Sequence, residues 1–175
     1  MLVASTGVTP AEQMRYAVTE QLRRAGFSQD VVERALRLRA GAERWIRGED
    51  AGSLADELAA AALEPWWSLA FLPDSLPPGD ASAMREDLAA ELFFDPQPIF
   101  DQVRAGTLLF YGDDDSWTPV DASVRAWQRS TERDLEVVVL PGTGHEPTLG
   151  DGTLSPQYER KLIAWLRTAA EAATA

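Results

Sequence analysis

The chain has no cysteine, one histidine and few basic residues, and each shortage narrows what it can do. Without cysteine there is neither a disulfide framework nor a thiolate metal site, and with His145 as the sole imidazole a transition-metal centre is poorly served. Sixteen Lys and Arg stand against 28 Asp and Glu, a net charge of −12. The basic residues are dispersed along helical stretches, so nucleic acid and anionic membrane are poor partners. No stretch approaches the roughly 20 apolar residues that a membrane span needs, and MLVASTGVTP at the N-terminus carries neither a basic leader nor a signal-peptide core. The expectation is a protein without metal or cofactor, working in a reducing cytoplasm. Its 175 residues suffice for one core and a small subdomain.

What is present changes texture along the chain. Residues 1–5 read as a buried strand ended by the turn-forming TGVTP. Thr9, Pro10 and Glu12 make a capping box with proline at the first helical position, and Met14, Val18 and Leu22 carry that helix to Gly26. Val31, Ala35, Leu38, Ala42 and Trp45 lay an apolar stripe along a second helix from Ser28 to Gly48. A third, alanine-rich helix follows Ser53, PWWSLAFLPDSLPPGD breaks regularity with its prolines, and Asp80 is placed to cap a helix running to Leu92. Beyond residue 95, strands over 107–111 and 135–140 alternate with helices over 120–130 and from Ser155–Pro156 onward. The last helix sets Tyr158, Leu162, Trp165 and Ala169 on one face. Strand–helix alternation at this spacing predicts an α/β fold with three parallel strands, interrupted between the first and second by a long helical block.

In an open parallel sheet, sites gather beyond the carboxyl ends of the strands, so the loops after Tyr111 and Leu140 should share one rim. GDDDSWTP in the first loop offers Asp115, with Asp114 as the neighbouring alternative; PGTGHEP in the second offers His145. An acid beside a histidine fixes the imidazole tautomer and stabilises the imidazolium, the supporting half of a catalytic triad. Gly112, Gly142 and Gly144 would let the backbone bend sharply there. Ser5 ends the first strand and Ser116 adjoins the acid, but neither sits in a strand-to-helix elbow, so loop roles are expected for both. Trp66, Trp67, Phe71, Phe93 and Phe94 could line an apolar pocket; packing of the helical block onto the sheet is the favoured reading.

Three segments, FDPQPIFDQVRAGTLLFYGDDDSWTPVDASVRAW, EVVVLPGTGHEP and SPQYERKLIAWL, resemble the C-terminal third of an α/β-hydrolase, closest to the dienelactone-hydrolase and prolyl-oligopeptidase-like branch. In that family one strand ends in Gly-x-x-Asp-x-x-x-Pro, matched by Gly112, Asp115 and Pro119, and the next delivers a Gly-His, matched by Gly144 and His145. The resemblance covers residues 95–170 and, more loosely, the strand at 1–5. It implies a partial α/β-hydrolase core from residues 1–8 and 95–175, with a helical cap inserted at 9–94. It also implies Asp115 and His145 as the acid and base of a serine hydrolase acting on an ester, amide or other acyl substrate, without cofactor.

The family's Gly-x-Ser-x-Gly nucleophile and the loop that builds its oxyanion hole are absent. The expectation is therefore an acid–histidine half-site, inactive alone. The edge at residues 1–5 would be completed by a nucleophile-bearing N-terminal half or, in a homo-oligomer, by a second copy. Two alternatives stand beside it: a non-catalytic binding or interaction module on the hydrolase scaffold, and an enzyme using an unexpected nucleophile such as Ser5.

Overall fold

The computed structural model describes residues 1–77, 81–130 and 134–174. Along the chain the elements are β1 (Leu2–Val3), α1 (Pro10–Arg24), α2 (Gln29–Ile46), α3 (Leu54–Ala61), a 3-10 turn (Trp67–Leu69), α4 (Ser82–Leu92), α5 (Gln97–Phe100), β2 (Thr107–Gly112), α6 (Val120–Arg129), β3 (Leu135–Leu140) and α7 (Pro156–Thr174). They form two compact units, one from Met1–Val8 with Pro96–Ala175, the other from Thr9–Asp95.

In the first unit the described strands make one all-parallel sheet in the order β1-β2-β3. Central β2 is buried at all six positions, as a parallel strand covered on both faces must be. Its side chains alternate between two layers. Leu109 and Tyr111 pack with Ala126, Phe100 and Trp127 of α5 and α6, where Phe100 stacks on Trp127 at 3.9 Å between ring centroids. Leu108 and Phe110 pack with Val138 and Leu140 against Tyr158, Leu162 and Trp165 of α7, the Tyr158 ring standing edge-on to Phe110. Ala169, expected on that stripe, is exposed. It lines a cleft with Gly106 and Asp134 that its short methyl does not fill.

The first strand departs from expectation: it is two residues long and not buried, with Met1 and Leu2 exposed. Ala4 explains the length, because its φ of +48° lies in the left-handed region and turns the chain out of the extended form after Val3. The exposure follows from pairing with β2 on one side only. Ala4 N still donates to Phe110 O at 2.8 Å. Beyond it, the Tyr111 hydroxyl donates to Ser5 O at 2.7 Å, and Gly7 N donates to the buried Ser123 hydroxyl at 3.0 Å. Gly7 has no room for a side chain, since a β-carbon there would stand 2.7 Å from both Ala126 Cβ and Ser123 Cα.

In the helical unit the capping box forms: Thr9 Oγ1 accepts Glu12 N at 3.3 Å while Glu12 Oε2 accepts Thr9 N at 3.0 Å. Gly26, at φ +81°, releases the chain after α1. Ser28 and Ser53 precede their helices without a side-chain cap bond, and the expected cap at Asp80 lies outside the described residues. Helix α5 went unforeseen, a single turn opening after Pro96. The core gathers Val18, Leu22, Ala35, Leu38, Leu58 and Trp66 among others. Along α2 the stripe is real: Ala35, Leu38 and Ala42 are buried, Val31 and Trp45 are half-buried against the core, and Val32 is buried as well. The same face also buries Arg39 and Glu43, at 5% and 2% exposure. Arg15 of α1 forks onto Glu43, with Nε donating to Oε1 at 3.1 Å and the second guanidinium nitrogen to Oε2.

The aromatics divide. Trp66 joins the core, Trp67 packs beside it and donates to Asp74, Phe93 lies under the Arg47 guanidinium, and Phe71 and Phe94 are exposed. Among the described residues no helix is long and apolar enough to cross a membrane.

Two consequences can be measured. Gly7→Ala should destabilise by about 1–3 kcal/mol through overpacking. Gly150→Ala, where a β-carbon meets nothing within 4 Å, should stay within about 0.5 kcal/mol in the same urea titration. Burial raises the ionisation of Tyr111 above the ordinary phenol range, so the folded chain holds that proton more tightly than the unfolded chain. Its contribution is complete below about pH 10 and is lost as the pH rises beyond. Tyr111→Phe should therefore flatten the alkaline fall in stability.

Candidate acid–histidine site

The loops after β2 and β3 lie side by side because the strands are paired in register from Thr107 with Leu135 to Gly112 with Leu140. Pairing continues past the strand ends, where Asp113 N donates to Leu140 O at 3.1 Å and Asp114 N to Thr143 O at 3.0 Å. From the other loop, Gly142 N donates to Asp113 Oδ1 at 2.8 Å. The glycines act differently from one another. Gly142 takes a φ of +69°, a turn that glycine adopts without strain. Gly112 has an ordinary φ but must stay bare, because a β-carbon would collide with the carbonyls of Thr143 and Gly144. Gly144 is neither crowded nor left-handed: a β-carbon there would meet Asp114 O at an ordinary 3.9 Å.

Asp115 is buried, at 3% exposure, and held by its own loop. Its Oδ1 accepts the backbone amides of Trp117 at 2.7 Å and Thr118 at 2.9 Å, a local turn of the kind aspartate favours. That leaves Oδ2 for His145, whose Nδ1 stands 3.1 Å away. Thr118 Oγ1 lies 3.4 Å from the same nitrogen and donates to Ala4 O at 3.4 Å, so toward the imidazole it acts as an acceptor. With two oxygen acceptors facing Nδ1, the neutral ring carries its proton there and presents Nε2, on its far edge, as the base. The His145 side chain is 46% exposed, against 0% for that of Asp115, so the pair is an oriented, solvent-reachable imidazole on a buried carboxylate.

The structure brings Asp115 and His145 together. Asp114, the alternative acid, is exposed and contributes its backbone amide to the loop pairing. Ser116 is half-buried beside the acid. Ser5 makes no hydrogen bond to His145 among the described residues; its carbonyl is the acceptor for Tyr111. Sequence reasoning missed Thr118 and Ala4. DSWTP signals the turn in which Asp115 accepts the amide of residue 118, but not the direction of that residue's hydroxyl.

Set against family models, curated proteins and solved structures, the chain matches none.

The histidine being single, its tautomer can be read without assignment. Nitrogen-15 spectra of the neutral ring should show a proton on Nδ1 in the wild type and a shift toward the Nε2–H form in Asp115→Asn, whose amide can turn a donor toward Nδ1. Asp115→Ala, which removes the acceptor of two backbone amides, should cost at least about 2 kcal/mol in urea unfolding. A loss within error would detach the acid from its loop.

Proposed function

We propose that the unit formed by residues 1–8 and 96–175 is the acid–histidine half of an α/β-hydrolase-type serine hydrolase, acting by acyl transfer on an ester or amide. One observation carries the reading: a buried carboxylate, fixed by two backbone amides, orients the sole histidine at the carboxyl ends of adjacent parallel strands. In the complete site His145 Nε2 would take the proton of a serine hydroxyl as its oxygen attacks the acyl carbon, then return that proton to the leaving group. Water would hydrolyse the acyl-enzyme by the same path reversed. Asp115 would hold the ring and stabilise the imidazolium, with Thr118 as the second acceptor on Nδ1.

The serine belongs to a further strand. Among the described residues β1 pairs with β2 alone, which supports this, because Ala4 at its end touches Thr118, so a strand laid parallel along β1 would end on the rim where His145 stands. That strand comes from a nucleophile-bearing segment; a second copy, in a homo-oligomer, would cover the edge without supplying a Gly-x-Ser-x-Gly serine. A cytoplasmic setting is part of the same proposal, in keeping with the absence of cysteine. A second reading, a non-catalytic binding module on this scaffold, draws on one fact: among the described residues no serine hydroxyl hydrogen-bonds to His145, whose partners are Asp115 and Thr118.

Intact-mass analysis of the purified chain after a fluorophosphonate probe separates the readings. No adduct is expected from the chain alone. A single adduct that vanishes in His145→Ala would overturn the half-site and make Ser5 the nucleophile to test. When a nucleophile-bearing strand is supplied, labelling should appear and fall by several orders of magnitude in His145→Ala. Labelling of equal rate in that variant would remove His145 from the chemistry.

A further inference from the structure

We propose that the helical unit, Thr9–Asp95, binds a small apolar monocarboxylate in a cavity with Arg39 in its wall. The cavity is ≈ 570 Å³, within the roughly 300–1,000 Å³ usual for small-molecule pockets. It is enclosed by α1, α2, α4 and the segment 71–77, and its walls are apolar, with Met14, Trp45, Ile46, Leu72, Leu76 and Leu92 among them. The mouth is apolar too. Phe71, Met84 and Leu88 line the cavity and are 42%, 38% and 36% exposed, and α4 buries no residue at all. Exposed large apolar side chains gathered at one opening mark a surface that something else covers.

The charge in the wall says what kind of molecule that is. Arg39 and Glu43 both line the cavity, but Glu43 is engaged by the fork from Arg15. Arg39 is 5% exposed and gives one terminal nitrogen to two main-chain carbonyls, Ala70 O at 2.7 Å and Phe71 O at 2.9 Å. Its Nε has no hydrogen-bond partner among the described residues. Arg15 also lies near Glu12, so the Arg39 guanidinium, with its unpartnered Nε, is the cation held against the apolar wall. Burial pushes the Arg39 guanidinium below its ordinary range, partly offset by Glu43, yet such a group stays protonated in proteins. The Arg39 bonds also hold Phe71 at a φ of +49°, rare for a bulky residue, so the cation and the rim are built as one piece.

A guanidinium with an unpartnered Nε can take a planar carboxylate, and a single charge is desolvated against an apolar wall at less cost than a phosphate dianion. The apolar walls call for an aliphatic or aryl tail. Glu91, the remaining charged residue of the lining, is exposed and remains solvated. All these residues belong to the helical unit, so the inference stands apart from the acid–histidine site and fails or succeeds separately.

The test is calorimetry and thermal unfolding of the full chain with decanoate and with decan-1-ol, both below their aggregation limits. Decanoate should bind and raise Tm, at least about tenfold more tightly than the alcohol, the preference a charge-assisted pair confers. Arg39→Met should abolish that preference. Leu88→Glu, at the exposed mouth, should weaken decanoate at least about tenfold with an unchanged circular dichroism spectrum, and decides the matter if the Arg39 variant does not fold. Equal affinity for acid and alcohol, no binding of either, or a carboxylate preference that survives Arg39→Met would each overturn the proposal. So would undiminished binding in Leu88→Glu.

Discussion

The parallel pairing of β2 with β3, carried two residues beyond the strands by the amides of Asp113 and Asp114, governs the site. Asp115 and His145 are 30 residues apart in sequence and meet only because these strands run in one register. A slip of one residue would turn every side chain of β3 to the opposite face. Val138 and Leu140 would leave the layer beneath α7, so the hydrophobic packing that stabilises the sheet also enforces the geometry of the polar pair. Gly112 adds a steric condition, since the β3 loop crosses where a side chain would otherwise be.

The acid is arranged for rigidity and the histidine for access. One oxygen of Asp115 is committed to its own loop and the other to the imidazole, so the carboxylate cannot rotate without breaking bonds at both ends. The exposed ring is held on one edge and open on the other, which is what proton transfer to an incoming group requires.

Much of this could be read from the residues, and the parts that could not have physical reasons. The Thr9 box and the bounds of β3 were legible because each is set by a few neighbouring residues. The length of β1 was not, because an alanine gives no warning of a left-handed φ; the strain is tolerated through bonds to Phe110 and Thr118, remote in sequence. Burial of Arg39 and Glu43 was missed since charged residues are read as solvent-facing. Yet positions 35, 38, 39, 42 and 43 share one helical face, so the phase of the stripe already placed both inside. At the site, the strand-then-glycine pattern brought Asp115 and His145 to one rim, whereas the Thr118 contact depends on side-chain direction within a turn, which spacing does not encode.

The brevity of β1 has a consequence for any strand that joins it. Two residues offer very few ladder hydrogen bonds, and the turn at Ala4 closes off further zippering. Main-chain pairing along so short an edge is a guide to alignment rather than a source of affinity. The hold on a joining segment must then come from side-chain contacts elsewhere, and random edge-to-edge association of this acidic chain has little to grip.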